Sequence, residues 1–205
     1  MTTRGQKEAV AMSTAEEMPT AEELDETPPL GRVRAQVFAL LLMEGLIPSM
    51  ATGDVCELAV SIDDWNVVEA ADDGMEYLIT DDDCWSVTRG LLRRESAPGP
   101  EDGQLRVDTC GQGFLLHGTA ADHPLPDRPV YIEGFVYVEP ARMPMFGVDN
   151  PKARPMRRPW RVVALHREVV ARRRAEGKSA TLIDRLPDPA DVDTGSYYFA
   201  DLVLA

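Results

Sequence analysis

Residues 129–140 alternate with a two-residue period. Val130, Ile132, Val136 and Val138 fall on one face, and Tyr131, Glu133, Phe135, Tyr137 and Glu139 on the other. That periodicity, with β-branched and aromatic residues and a proline at each end, predicts a strand. Gly134 interrupts the apolar face, where a glycine marks a bulge or a sharp bend. This stretch is expected to be the central strand of the molecule.

The same pattern recurs along the chain. Residues 32–37 alternate, whereas 40–43 favour helix by propensity. On a helix Arg34 would fall inside the apolar stripe. A long strand over 32–43 is therefore expected, with helix as the alternative. Residues 55–62 read as one strand with Cys56, Leu58, Val60 and Ile62 inward. Residues 75–80 and 84–92 read as strands across an Asp81-Asp82-Asp83 turn. Residues 104–110 and 114–118 form a hairpin around Gly111-Gln112-Gly113. Residues 160–166 and 197–204 are further strands, and 168–176 either continue the former or turn helical. The stretches 96–103, 120–128 and 140–159, rich in proline or glycine, read as loops.

About eight short strands with turn signals between them predict a mainly β fold, an antiparallel barrel or a two-sheet sandwich. The glycine-bent strand favours the barrel. Residues 1–30 carry many acidic and few large apolar residues. They are expected to form a disordered acidic tail ahead of one β-rich domain at 31–205.

Composition narrows the function. Of 205 residues, 44% are hydrophobic, enough for a sizeable core. The formal charge of -14 disfavours nonspecific attraction to nucleic acid or an anionic membrane. Arginine far outnumbers lysine, which with abundant alanine, aspartate and proline is the codon signature of a GC-rich bacterial genome. The three cysteines, Cys56, Cys84 and Cys110, have no CxxC spacing and indicate neither a disulfide framework nor a zinc site. No signal peptide and no membrane-length apolar run is visible, so a cytoplasmic location is expected.

Charge is segregated within the chain. Residues 152–185 gather Lys152, Arg154, Arg157, Arg158, Arg161, Arg167, Arg172, Arg173, Arg174, Lys178 and Arg185 against Glu168, Glu176 and Asp184. Arg157, Arg158, Trp160, Arg161, Arg172, Arg173 and Arg174, with Tyr131 and Tyr137 on a neighbouring strand, are the candidate partner-binding residues. Arginine beside exposed aromatics suits phosphate pairing and base stacking. The plainer alternative is that the segment pairs with the protein's own acidic surface or tail. Trp65, Trp85 and Trp160 are expected mostly in the core.

Chemistry is sparse. Asp63, Asp64 and Asp81 to Asp83 lack the ligand spacing of a calcium loop, so no metal is expected. Cys110 and His117 suggest a Cys–His pair. If the hairpin pairs Cys110 with Phe114, the two lie three rows apart, roughly 10 Å along the strands. His123 falls in a loop. No catalytic residue and no cofactor is assigned.

Ile62-Asp63-Asp64-Trp65, the 129–137 strand and Arg161-Val-Val resemble small bacterial β-rich domains of uncharacterised activity. The Pro-Val-x-Ile-x-Gly pattern is similar to central strands of oligonucleotide-binding barrels. These resemblances imply a fold and no activity. The expected function is a non-enzymatic interaction protein presenting an acidic surface and an arginine-rich edge to a protein partner. The alternatives are single-stranded nucleic-acid binding and a small enzyme acting on an anionic metabolite.

Overall fold

The computed structural model describes residues 31–70, 74–94, 105–117, 125–140, 154–170 and 180–205. It is mainly β, as expected, but with eleven strands among the described residues rather than eight. They are β1 (Val33–Val37), β2 (Val55–Leu58), β3 (Val60–Ala70), β4 (Tyr77–Thr80), β5 (Trp85–Arg94), β6 (Leu105–Thr109), β7 (Gln112–Leu116), β8 (Val130–Val138), β9 (Arg158–Val169), β10 (Ala180–Ile183) and β11 (Ser196–Leu204). A short helix, α1 (Ala39–Met43), follows β1. Residues 32–43 are therefore both strand and helix, divided at Phe38. The expected tail at 1–30 and the arginines at 172–174 lie outside the described residues. No described helix is long and apolar enough to cross a membrane.

Five strands close a barrel. β5, β6 and β7 run antiparallel in sequence, β7 pairs parallel with β3, and β8 joins β3 to β5 by antiparallel pairing on both sides. Antiparallel sheets gain from closure because no edge is left unpaired. β4 lies outside the ring against β5. A second sheet leaves the barrel at the end of β8, where Gln36 of β1 pairs parallel with Tyr137. It continues from β1 to β11 and β9, with β10 and β2 on the far side of β9.

The undercount has a local cause. Residues 55–62 look like one strand, but the chain changes sheet at Ala59. β2 belongs to the outer sheet and β3 to the barrel. Residues 180–183 form β10 although Ala180, Thr181 and Leu182 are all exposed, so no alternation announces it.

β8 is the central strand. Val130, Ile132, Val136 and Val138 are all buried, as their alternation requires. The irregularity expected at Gly134 sits opposite it, on β3. Asp63 faces Phe135 and Asn66 faces Glu133, so Asp64 and Trp65 together oppose Gly134. Asp64 takes a positive φ of 50° there, as a bulge allows. A Cβ on Gly134 would lie 2.4 Å from Ile62 Cγ2 and 3.0 Å from the Asp63 carbonyl oxygen.

The β6–β7 hairpin is tighter than expected. Thr109 pairs with Gln112 and Val107 with Phe114, so the turn is Cys110-Gly111 alone. Both turn residues have positive φ, 52° and 73°, the signature of a two-residue turn that follows strand twist. The pairing of Cys110 with Phe114 is thus corrected by three residues. One buried cluster spans the barrel and the outer sheet, with the Trp160 ring 6.3 Å from that of Phe114.

Candidate functional site

β8 changes partners along its length. Up to Phe135 it pairs with β5, where Trp85 faces Phe135; by Tyr137 it pairs with β1. β5 and β1 diverge from this point, and a fork opens between barrel and outer sheet. Its walls form a cleft of about 490 Å3 lined by Gln36 of β1, Asp81 and Asp83 of the β4–β5 turn, Trp85, Phe135, and Tyr197 and Phe199 of β11. That volume falls within the range of about 300–1,000 Å3 typical of ligand sites.

The turn that brings the carboxylates is rigid. Asp81 Oδ1 accepts the backbone N–H groups of Asp83 and Trp85, each at 2.8 Å. The Asp81 N–H donates to the Trp85 carbonyl at 2.9 Å. Cys84, buried with φ at 65°, completes the bend. Asp81 is exposed and Asp83 half-buried. Of the aromatics, Trp85 and Phe135 are half-buried and Tyr197 is 37% exposed. The Tyr197 and Phe199 ring centroids lie 6.4 Å apart, tilted by 52°. Among the described residues lining the cleft, none is basic. Aromatic faces carry negative charge density, and two carboxylates add to it, so the cleft attracts cations.

Beside it lies a charged network between β1, β9 and β11. Asp201 has no exposed side-chain area and accepts from Arg32 and Arg34, the latter through Nε at 2.7 Å. His166 Nε2 is 2.7 Å from the same carboxylate, and Arg34 also reaches Asp82. Burial alone would raise the Asp201 pKa. The hydrogen bonds from Arg34, Arg32 and His166 outweigh it and hold the carboxyl down to about 2.

A third polar group is buried just past the C-terminal end of β8. Ser61 Oγ donates to Glu139 Oε2 at 2.8 Å, and His117 Nε2 lies 3.1 Å from the same oxygen. Burial pushes the Glu139 carboxyl up, but these bonds and one from Tyr137 bring it below its ordinary value. The serine hydroxyl is spent on the carboxylate rather than on the histidine, so the trio is not arranged as a nucleophile with its base. Burial pushes the Cys110 and Cys84 thiols up, away from the reactive thiolate. Among the described residues no group of three or more His, Cys, Asp or Glu could hold a metal ion.

The residues singled out from the sequence are dispersed. Trp160 is 2% exposed and Tyr137 7%, so neither offers a face for stacking. Both are among the candidate partner-binding residues; the Tyr137 ring packs against those of Phe38 and His117, and the Trp160 ring against that of Phe114. The Tyr131 ring is half-buried against Tyr77, with the Arg89 guanidinium 6.0 Å away. Arg158 and Arg161 are exposed on β9 and Arg157 is half-buried just before it. Arg158 Nη1 donates to the Arg157 carbonyl at 2.7 Å. Arg172, Arg173, Arg174 and His123 lie outside the described residues. Of the tryptophans one, Trp160, is fully buried, whereas Trp65 and Trp85 are half-buried.

The cleft residues were not gathered by sequence reasoning. Phe135 shared the amphipathic face of its strand with Tyr131 and Tyr137, and Tyr197 opened an aromatic strand, but nothing local joined them. Comparison with family models, curated proteins and solved structures finds no match.

Proposed function

We propose that this protein is a non-enzymatic interaction module that captures a cationic side chain of a protein partner in the cleft between barrel and outer sheet. The observation carrying this reading is the lining itself: four aromatic residues and two carboxylates, with no basic residue among those described. An exposed cation over an aromatic face gains about 0.5–1 kcal/mol, rising to about 2 when water is excluded. The acidic charge of the whole chain steers such a partner inward. The exposed Arg158 and Arg161 on β9 supply a second contact of opposite sign.

The test is calorimetric titration of a cationic peptide at low salt. Binding is expected to weaken with salt, and by roughly 3- to 30-fold in Trp85→Ala or Tyr197→Ala. Equal binding by wild type and both variants would refute the cleft as the site.

A second reading, single-stranded nucleic-acid binding, is favoured by the ring's connectivity. Taken in the order β5, β6, β7, β8, β3, its neighbour relations are those of an oligonucleotide-binding barrel whose last strand comes first in the chain. The β6–β7 face of such barrels is where strands bind. Here a recess of about 250 Å3 holds Arg106, Arg158 and Gln112. Asp108, paired with Arg106 at 2.8 Å, and the buried Met156 line the same recess. A flat anisotropy titration with an oligonucleotide at low salt removes this reading.

A further inference from the structure

We infer that Arg34 is a positioning residue for the cleft: without lining it, Arg34 holds the β4–β5 turn at a set distance from the outer sheet. This rests on the cleft reading above and adds what keeps the site in shape for its ligand. On the outer sheet, Gln36 of β1 and Phe199 of β11 are cross-strand partners and both line the cleft. The next row on the same face is Arg34 beside Asp201, two residues along each strand and roughly 7 Å away.

From that row Arg34 makes bonds in two directions. Toward its own sheet, Nε and Nη2 donate to the two oxygens of Asp201, at 2.7 and 3.1 Å. Toward the turn, Nη1 donates to Asp82, and the backbone N–H donates to Thr80 Oγ1 at 2.7 Å. Thr80 and Asp82 flank Asp81, and Asp83 follows. The two residues that Arg34 grips therefore bracket one acidic residue of the cleft and adjoin the other. The Arg34 side chain is 16% exposed and braced by the wholly buried Asp201 carboxylate, so it carries the order of the buried network out to the exposed Asp82. A lysine could not do the same. Its ammonium is a point charge on a flexible stem, whereas the guanidinium is a planar fork that meets two carboxylates through separate nitrogens.

The sign of its charge separates this role from attraction. A cation beside a cation site repels the incoming group. If Arg34 acted by charge alone, its loss would tighten binding, whereas positioning predicts that binding weakens.

The experiment uses the full chain and a peptide with one central arginine, titrated by calorimetry at two ionic strengths. Thr80→Val removes the hydroxyl at constant charge and spares the bonds of Asp201, and Thr80→Ser keeps the hydroxyl. Variants are compared where circular dichroism shows them fully folded, so that a loss of stability alone leaves affinity unchanged. Thr80→Val is expected to weaken binding about 3- to 10-fold, by a similar factor at both salts, as loss of preorganisation does. Thr80→Ser is expected to bind as the wild type. Arg34→Lys and Arg34→Gln are each expected to weaken binding by about 5-fold or more. Wild-type affinity in Thr80→Val overturns the inference, as does equal weakening in Thr80→Ser. Tighter binding in Arg34→Gln assigns the effect to charge and overturns it too. If the Arg34 variants do not fold, the threonine pair decides alone. Failure of the wild type to bind the peptide removes the cleft reading itself, and this inference with it.

Discussion

Gly134 shows how one residue fixes a strand's course. It faces two residues of β3 at the bulge, and any side chain would collide with Ile62 and the Asp63 backbone. Gly134→Val is expected to cost about 1–3 kcal/mol, as overpacked cores do, and thermal denaturation will read it. An unchanged melting temperature would mean that β3 can move. Asp201 is the corresponding electrostatic case. Its carboxyl pKa is depressed to about 2 in the folded state, so its contribution is complete above its unfolded value. The contribution is lost as pH falls from about 4 through about 2, and amounts to about 2 kcal/mol. Asp201→Asn leaves Arg34 and Arg32 without their buried anion and is expected to destabilise by about 3–5 kcal/mol at neutral pH. The variant's stability, followed by denaturant titration across pH, should also fall less steeply in that acid window. Arg34 illustrates what the sequence holds back. Its clash with a helical apolar stripe correctly signals strand, but its partner lies 167 residues away.

At the scale of elements, alternation reads well where one face is buried and badly where a strand serves two sheets. Val130 to Val138 is legible because its apolar face lines the barrel. The burial of Tyr137 and Glu139 on the opposite face is not, since it arises from β1 and β3 packing on the same end. Hairpin chemistry is legible only approximately. Gly111-Gln112-Gly113 marks the turn, but Cys110, not Gly113, supplies the second positive φ. A cysteine pays for that conformation, whereas asparagine adopts it more readily. Cys110→Asn is therefore expected to raise the melting temperature by an amount equivalent to up to about 1 kcal/mol. A lower value would show that the Cys110 sulfur, 3.3 Å from the Glu76 carbonyl oxygen, matters more than the turn.

At the scale of the molecule, barrel and outer sheet share β8 and one core. Trp160 joins them by packing on Phe114. Unfolding is expected to be a single transition by fluorescence and by circular dichroism, and Trp160→Ala to cost about 3–5 kcal/mol. Two separated transitions would mean that the sheets fold independently. The cleft belongs to this scale too. Gln36, Trp85, Phe135 and Tyr197 stand on four strands far apart in the chain, and only the divergence of β1 from β5 along β8 brings them together. The arginine-rich run was the visible feature in the sequence because it is local. The acidic, aromatic face was invisible because it is assembled.

The most direct test of the cleft is an amide chemical-shift titration of the full chain with an arginine peptide at low salt. Perturbed resonances are expected to converge on Gln36, Asp81 to Trp85, Phe135, Tyr197 and Phe199. Shifts confined to β9 around Arg158 and Arg161, or none at all, would contradict a cation site at the fork.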